Sequence, residues 1–158
     1  MSLDTVRAHL ARFGASDRIL VFDTSSATVA LAAEAAGTQP ERIAKTLSFL
    51  GEEGCILVVA AGDARIDNPK FKATFHRKAT MLTAEQVPVL TGHPVGGVCP
   101  FAVPESAKVW LDESLRRFPT VFPAAGTPNS AIELTLEELE AMSGARGWVD
   151  VCKLVNSE

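Results

Sequence analysis

Tyrosine is absent from the 158 residues and tryptophan occurs only twice, so the chain offers few aromatic faces on which bases could stack. The three cysteines, Cys55, Cys99 and Cys152, are odd in number and far apart. They suit neither a disulfide framework nor paired CxxC half-sites, and read as free thiols of a reducing cytoplasm. His9, His76 and His93 show no HxxxH or HExxH spacing, and neither a GxGxxG nor a GxxxxGKS/T loop is present. The reading therefore includes no metal and no cofactor. No apolar run approaches the roughly 20 residues that span a bilayer. The N-terminal segment, with Asp4, Arg7 and His9 in an amphipathic pattern, lacks the apolar core of a secretory leader. These absences predict a soluble cytoplasmic protein without a membrane partner.

What is present is an ordinary globular composition, 47% hydrophobic and 22% charged, which excludes disorder. The length suits one domain, residues 1–158, with one core. A formal net charge of -4 and a pI near 5.4 argue against attachment to nucleic acid by overall charge. Any such contact must be local. Residues 65–78 supply one: Arg65, Lys70, Lys72, Arg77 and Lys78 stand against Asp67 alone, a local excess of four that leaves -8 on the rest of the chain. Such a run is either a solvated helix face or a footprint for phosphates.

Periodicity predicts a helix over residues 3–13, stopped by Gly14, and a short strand over 19–22. The cap-forming run Asp23-Thr-Ser-Ser26 precedes a helix over 27–36, with Gly37 as its stop. Strands over 43–50 and 55–61 follow, joined by Gly51-Glu-Glu-Gly54 as a hairpin loop. Further on, the pattern gives a helix over 68–75, a strand over 80–82, a helix from the Thr83 cap, and strands over 108–111 and 120–124. The tail reads as a strand (131–134), a helix (136–142) and a last strand (148–152). Hairpins with unevenly spread helices favour an α+β fold with a mixed, barrel-like sheet over a doubly wound parallel one.

Three segments are chemically suggestive. On a strand of period two, Lys45 projects with Ile43, Leu47 and Phe49, the more apolar side. An ammonium there either binds an anion or stabilises developing negative charge, or it packs its stem and sends its head to water. The stretch Gly92-His-Pro-Val-Gly-Gly-Val-Cys-Pro-Phe101 joins adjacent glycines to stiffening prolines, so it is either a rigid turn or a loop presenting backbone donors. The stretch Ala124-Ala-Gly-Thr-Pro-Asn129 is a small-residue turn in which the Asn129 amide could meet a ligand. Cys99, near His93 in sequence, is either a packed side chain or a nucleophile acting on small acyl esters.

Taken in this order and at these separations, Ile43-Ala-Lys-Thr-Leu-Ser-Phe49, Thr91 to Pro100 and Ala124 to Asn129 resemble the YbaK-like aminoacyl-tRNA deacylases. That family is related to the editing domain of bacterial prolyl-tRNA synthetases. The resemblance implies a barrel-like mixed sheet wrapped by helices, and hydrolysis of the ester of a tRNA mischarged with a small amino acid. It implies that Lys45 faces the substrate. Gly96, Gly97, Val98, Cys99 and Pro100 would supply backbone groups around the aminoacyl moiety, with His93 flanking the pocket. Gly126, Thr127 and Asn129 would close it from the opposite side. Lys70, Lys72, Arg77 and Lys78 would steer the acceptor end, with a synthetase as a further partner. Cys99 and His93 depart from the residues expected at their positions, and both would line or flank the pocket. A free-standing editing enzyme is the leading reading; a non-catalytic module binding aminoacyl-tRNA or a synthetase is the alternative.

Overall fold

The structure, a computed structural model, describes residues 2–25 and 28–154. Helix α1 (Ser2–Ala11) is followed by β1 (Leu20–Val21), α2 (Val29–Ala36), β2 (Ile43–Leu50), β3 (Cys55–Ala61) and β4 (Ala64–Ile66). Next come α3 (Asn68–Phe75), α4 (Gln86–Thr91), β5 (Ala107–Asp112), β6 (Thr120–Pro123), β7 (Ser130–Ala131) and β8 (Leu134–Thr135). Helix α5 (Leu136–Ser143), β9 (Trp148–Val149) and β10 (Cys152–Leu154) are the last elements among the described residues.

Six strands form a mixed sheet in the order β8-β6-β2-β3-β5-β9, curled into a half-barrel with helices around it. The expected fold class is borne out. β2 and β3 are the antiparallel hairpin, in register from Ala44 opposite Ala61 to Leu50 opposite Cys55. Each then has a parallel neighbour: β6 beside β2 and β5 beside β3. This placement explains why β3 is an unbroken apolar run, because all seven of its residues are buried. α3 docks through an aromatic chain, with ring centroids 4.9 Å apart for Phe49 and Phe71 and 4.8 Å for Phe71 and Phe75.

The local signals explain most of the boundaries. Asp67 caps α3 by accepting from the Lys70 N–H, and Thr135 and Glu138 form a reciprocal capping box at α5. Gly37 ends α2 in the left-handed conformation at φ 71°. Several expectations need correction. The cap of α2 is Thr28, and Ser26 and Ala27 lie outside the described residues. Residues 80–82 make one bridge, Met81 to Phe49, rather than a strand. The predicted strand 131–134 divides between β7, which pairs with β1, and β8, which pairs with β6.

The last predicted strand also divides, into β9 on β5 and β10 on β4. The break has a physical cause. The Val151 N–H donates to the Asp112 carboxylate at 2.9 Å, and its carbonyl accepts from the Asp67 N–H at 2.9 Å, which carries the chain from one sheet to the other. β4 itself, three residues long and directly after the Gly62-Asp63 turn, was not expected. It is too short for an alternating pattern to register.

Candidate active site

A cavity of about 360 Å³ opens beside β2. Its walls come from β2 (Ala44, Lys45, Thr46, Ser48), the segment leading into α4 (Met81, Leu82, Ala84, Val87) and the Gly/Pro loop (Val95, Gly96, Val98). The third motif (Ala124) with β7 after it (Ser130, Ala131) and α2 with its cap (Thr28, Val29, Ala32) add to it. All three segments singled out in the sequence therefore contribute to one cavity, though not through every residue expected.

Among the described lining residues Lys45 alone is titratable. It is half-buried, and its Nζ donates to the Gly62 carbonyl at 3.3 Å. Burial lowers its pKa from the ordinary 10.5, and nearby Arg65 adds to this, while Cys152 and Asp63 oppose it. No carboxylate pairs with it among the described residues. Next to it, Thr46 Oγ1 is buried without a hydrogen-bond partner. An orphaned hydroxyl is costly; Thr46 belongs to the cavity wall, but its Oγ1 is itself buried from solvent. Thr46 and Ser48 were missed by the sequence reading; polar residues at alternate positions of an otherwise apolar strand were the available signal.

The second and third motifs touch. A Cβ on Gly97 would lie 2.8 Å from Thr127 Cα and 3.0 Å from the Gly126 carbonyl oxygen, so only glycine lets the two loops meet. The Gly97 N–H is spent within the turn, on the Pro94 carbonyl at 2.9 Å. Gly96 and Val98 reach the cavity wall, whereas Gly97 and Pro100 are buried behind it.

In the third motif, Thr127 Oγ1 donates to Asn129 Oδ1 at 2.8 Å, and Asn129 Nδ2 donates to the Phe22 carbonyl at 3.0 Å. These bonds fasten the turn to the segment after β1. Gly126, at φ 102°, Thr127 and Asn129 support the wall, and Ser130 is the polar residue of this stretch that lines it. The Asn129 amide, expected to meet a ligand, donates one bond to the Phe22 carbonyl, and Asn129 is not among the lining residues.

Cys99 and His93 were expected to line or flank the pocket. Both are buried away from its lining, with Cys99 wholly inaccessible. His93 Nε2 lies 2.7 Å from the Phe101 carbonyl and 3.5 Å from Cys99 Sγ. The carbonyl is an acceptor, so Nε2 carries the proton and is not free to take one from the thiol. Burial lowers the pKa of His93 and pushes the Cys99 thiol up to about 12.

The basic segment lies outside the cavity. Lys70 Nζ is held by Asp150 at 3.1 Å and by the Cys152 carbonyl at 3.1 Å. Lys72 and Lys78 are exposed and Arg77 is half-buried. The chain after Lys78 passes directly into the cavity wall at Met81, anchored by Leu50 N–H to the Thr80 carbonyl and Leu82 N–H to the Ser48 carbonyl.

Comparison with known proteins places the chain among editing proteins. The profile described as "Aminoacyl-tRNA editing domain" matches residues 23–142. Protein YwhH of Bacillus subtilis is 53% identical over 154 residues, covering 97% of this chain and 98% of that one. A solved structure described provisionally as a trans-editing enzyme for prolyl-tRNA synthetase superposes with TM-score 0.86 and 32% identity, covering 96% of this chain and 97% of that one. The proline–tRNA ligase of Thermotoga maritima is 32% identical over 90 residues, which is 56% of this chain and 15% of the ligase.

Burial extends to all three thiols. Cys55 and Cys152 are also buried, and desolvation raises them to about 11 and about 12. In the native protein the three thiols are expected to resist Ellman's reagent at mildly alkaline pH and to react together on denaturation. Rapid labelling of Cys99 in the folded state would reveal an activated thiol and reverse this assignment.

Proposed function

The chain belongs to the aminoacyl-tRNA editing domain family, and we propose that it is a free-standing trans-editing deacylase, one domain in length, that frees a tRNA from a wrongly attached small amino acid. The observation that carries this reading is the cavity itself, with Lys45 the one titratable residue among the described residues of a wall otherwise small, hydroxylated and apolar. At about 360 Å³ it has room for an aminoacyl group and a terminal ribose, near the lower end of the roughly 300–1,000 Å³ usual for ligand clefts.

An aminoacyl ester is already activated. Positioning it beside fixed dipoles and a cation, with water or a substrate hydroxyl as the attacking group, lowers the barrier without a protein nucleophile. Lys45 then binds the terminal nucleotide or the oxyanion that develops on the ester carbonyl. The backbone at Gly96 and Val98 bounds the aminoacyl moiety. The side chains of Cys99 and His93 take no part; they hold the loop from behind.

Size selects the substrate. A pocket distinguishes one methylene by only about 1–3 kcal/mol, so a second hydrolytic site that admits small residues complements a synthetase. Arg77 and Lys78 stand where the chain enters the cavity wall, which suits contact with phosphates next to the acceptor end. Lys70 is less available because Asp150 already neutralises it. The reading places the protein in the cytoplasm with mischarged tRNA as substrate, and with a synthetase as a candidate partner.

A deacylation panel tests the reading. tRNAs carrying alanine, cysteine, serine, threonine or small non-protein amino acids are expected to include a substrate hydrolysed at least about tenfold faster than a tRNA carrying phenylalanine. Salt-sensitive binding without turnover on any member would instead identify a binding module. For the tRNA contact, the Arg77→Glu/Lys78→Glu double variant is expected to raise KM several-fold, leave kcat nearly unchanged and flatten the salt dependence. Lys70→Glu should act more weakly. An unchanged KM in the double variant would remove this segment from the tRNA path.

A further inference from the structure

Lys45 owes its availability to a neighbouring ion pair in which it takes no part. Its Nζ donates to the carbonyl of Gly62, and the next residue, Asp63, carries a carboxylate. The two charges sense each other, since each shifts the other toward its ionised form, yet they form no ion pair. Arg117 provides the reason. Its guanidinium grips Asp63 with two bonds, Nη1 to Oδ2 at 2.9 Å and Nη2 to Oδ1 at 2.5 Å. This fork-on-carboxylate geometry outcompetes a single ammonium for the same two oxygens.

Both ends of the pair are fixed. Arg117 Nε donates to the Ser114 carbonyl at 3.0 Å, and Ser114 Oγ accepts from the Ala61 N–H at 3.1 Å, tying the 3-10 turn Glu113–Arg117 to the end of β3. The Arg117 guanidinium also lies 4.8 Å from the Phe118 ring centroid. On the other side, Gly62 is pressed against Pro40, whose carbonyl oxygen would lie 2.0 Å from any Cβ added there. The Gly62-Asp63 turn therefore cannot drift, and the Asp63 carboxylate is directed at Arg117.

We propose that Arg117 is a positioning residue for the deacylase site: by occupying Asp63 it keeps that carboxylate off Lys45, leaving the ammonium, among the described residues, on a backbone carbonyl and free to meet an anionic group of the substrate. This rests on the functional reading above for its effect on activity, but the arrangement itself does not. Removal of Arg117 releases Asp63, which captures Lys45 and withdraws it from the cavity. The other groups that act on Lys45, Arg65 and Cys152, are unaltered by the change.

The test compares wild type with Arg117→Met, Asp63→Asn and the double variant Asp63→Asn/Arg117→Met. Two readouts are used: kcat/KM on a mischarged tRNA, and the titration of Lys45 followed by NMR in protein carrying labelled lysine. Arg117→Met is expected to lower kcat/KM about tenfold or more and to raise the titration midpoint of Lys45. The double variant, with no carboxylate left to compete, is expected to return both toward wild type. Arg117→Met with unchanged activity and unchanged Lys45 titration overturns the proposal. So does a folded double variant as impaired as the single one, because a purely structural pair gains nothing from losing its second member. If wild type itself fails to deacylate, the functional reading fails, and the lysine titration still decides the placement of Arg117.

Discussion

A half-buried ammonium that no carboxylate neutralises among the described residues is the constraint around which this molecule is arranged. Lys45 lies on β2, in the middle of the six-stranded sheet, where desolvation disfavours its charge. A protein has little reason to keep such a group for stability, since a buried cation costs more than an apolar side chain of similar shape. The cost is limited by one carbonyl, that of Gly62, rather than by an ion pair. An acceptor of that kind can be exchanged for a substrate anion more readily than a carboxylate can.

The rest of the site is built by close approach rather than by reactive side chains. Gly97 allows one loop to lie on the backbone of Thr127 in the other, and Gly62 lies just as close to Pro40. The polar side chains nearby are committed to holding these loops: Asn129 to Phe22, Thr127 to Asn129, and His93 to the carbonyl of Phe101. What remains facing the cavity is small, apolar or hydroxylated, apart from Lys45. Such a site suits an ester that is reactive before it binds, for which exclusion and orientation matter more than acid–base chemistry.

Much of this was legible in the residues, and the gaps have physical reasons. β2 and β3 were readable because an eight-residue and a seven-residue apolar strand flank a glycine-bounded loop. α3 and α5 were readable as helices over 68–75 and 136–142, and the structure adds their caps, Asp67 and Thr135. By contrast, residues 148–154 change sheets at Val151 through a bond to Asp112, a tertiary contact with no local signature. Lys45 stood out as a cation on an apolar strand, and the loops through their glycines. Thr46 did not, because its alternation with Ser48 is a weak signal and the missing partner of its hydroxyl is a tertiary feature. Asn129 and Cys99 drew attention as reactive types, yet one is spent on a backbone carbonyl and the other is fully buried.

The central claim is that the charge of Lys45 acts on the substrate and contributes little to the fold. Lys45→Ala therefore measures it most directly, with deacylation of the preferred mischarged tRNA and thermal unfolding read on the same preparation. Loss of a preorganised electrostatic group predicts a fall in kcat of about 100- to 1,000-fold with the melting temperature unchanged or raised. Near wild-type turnover in a folded Lys45→Ala protein would contradict the account.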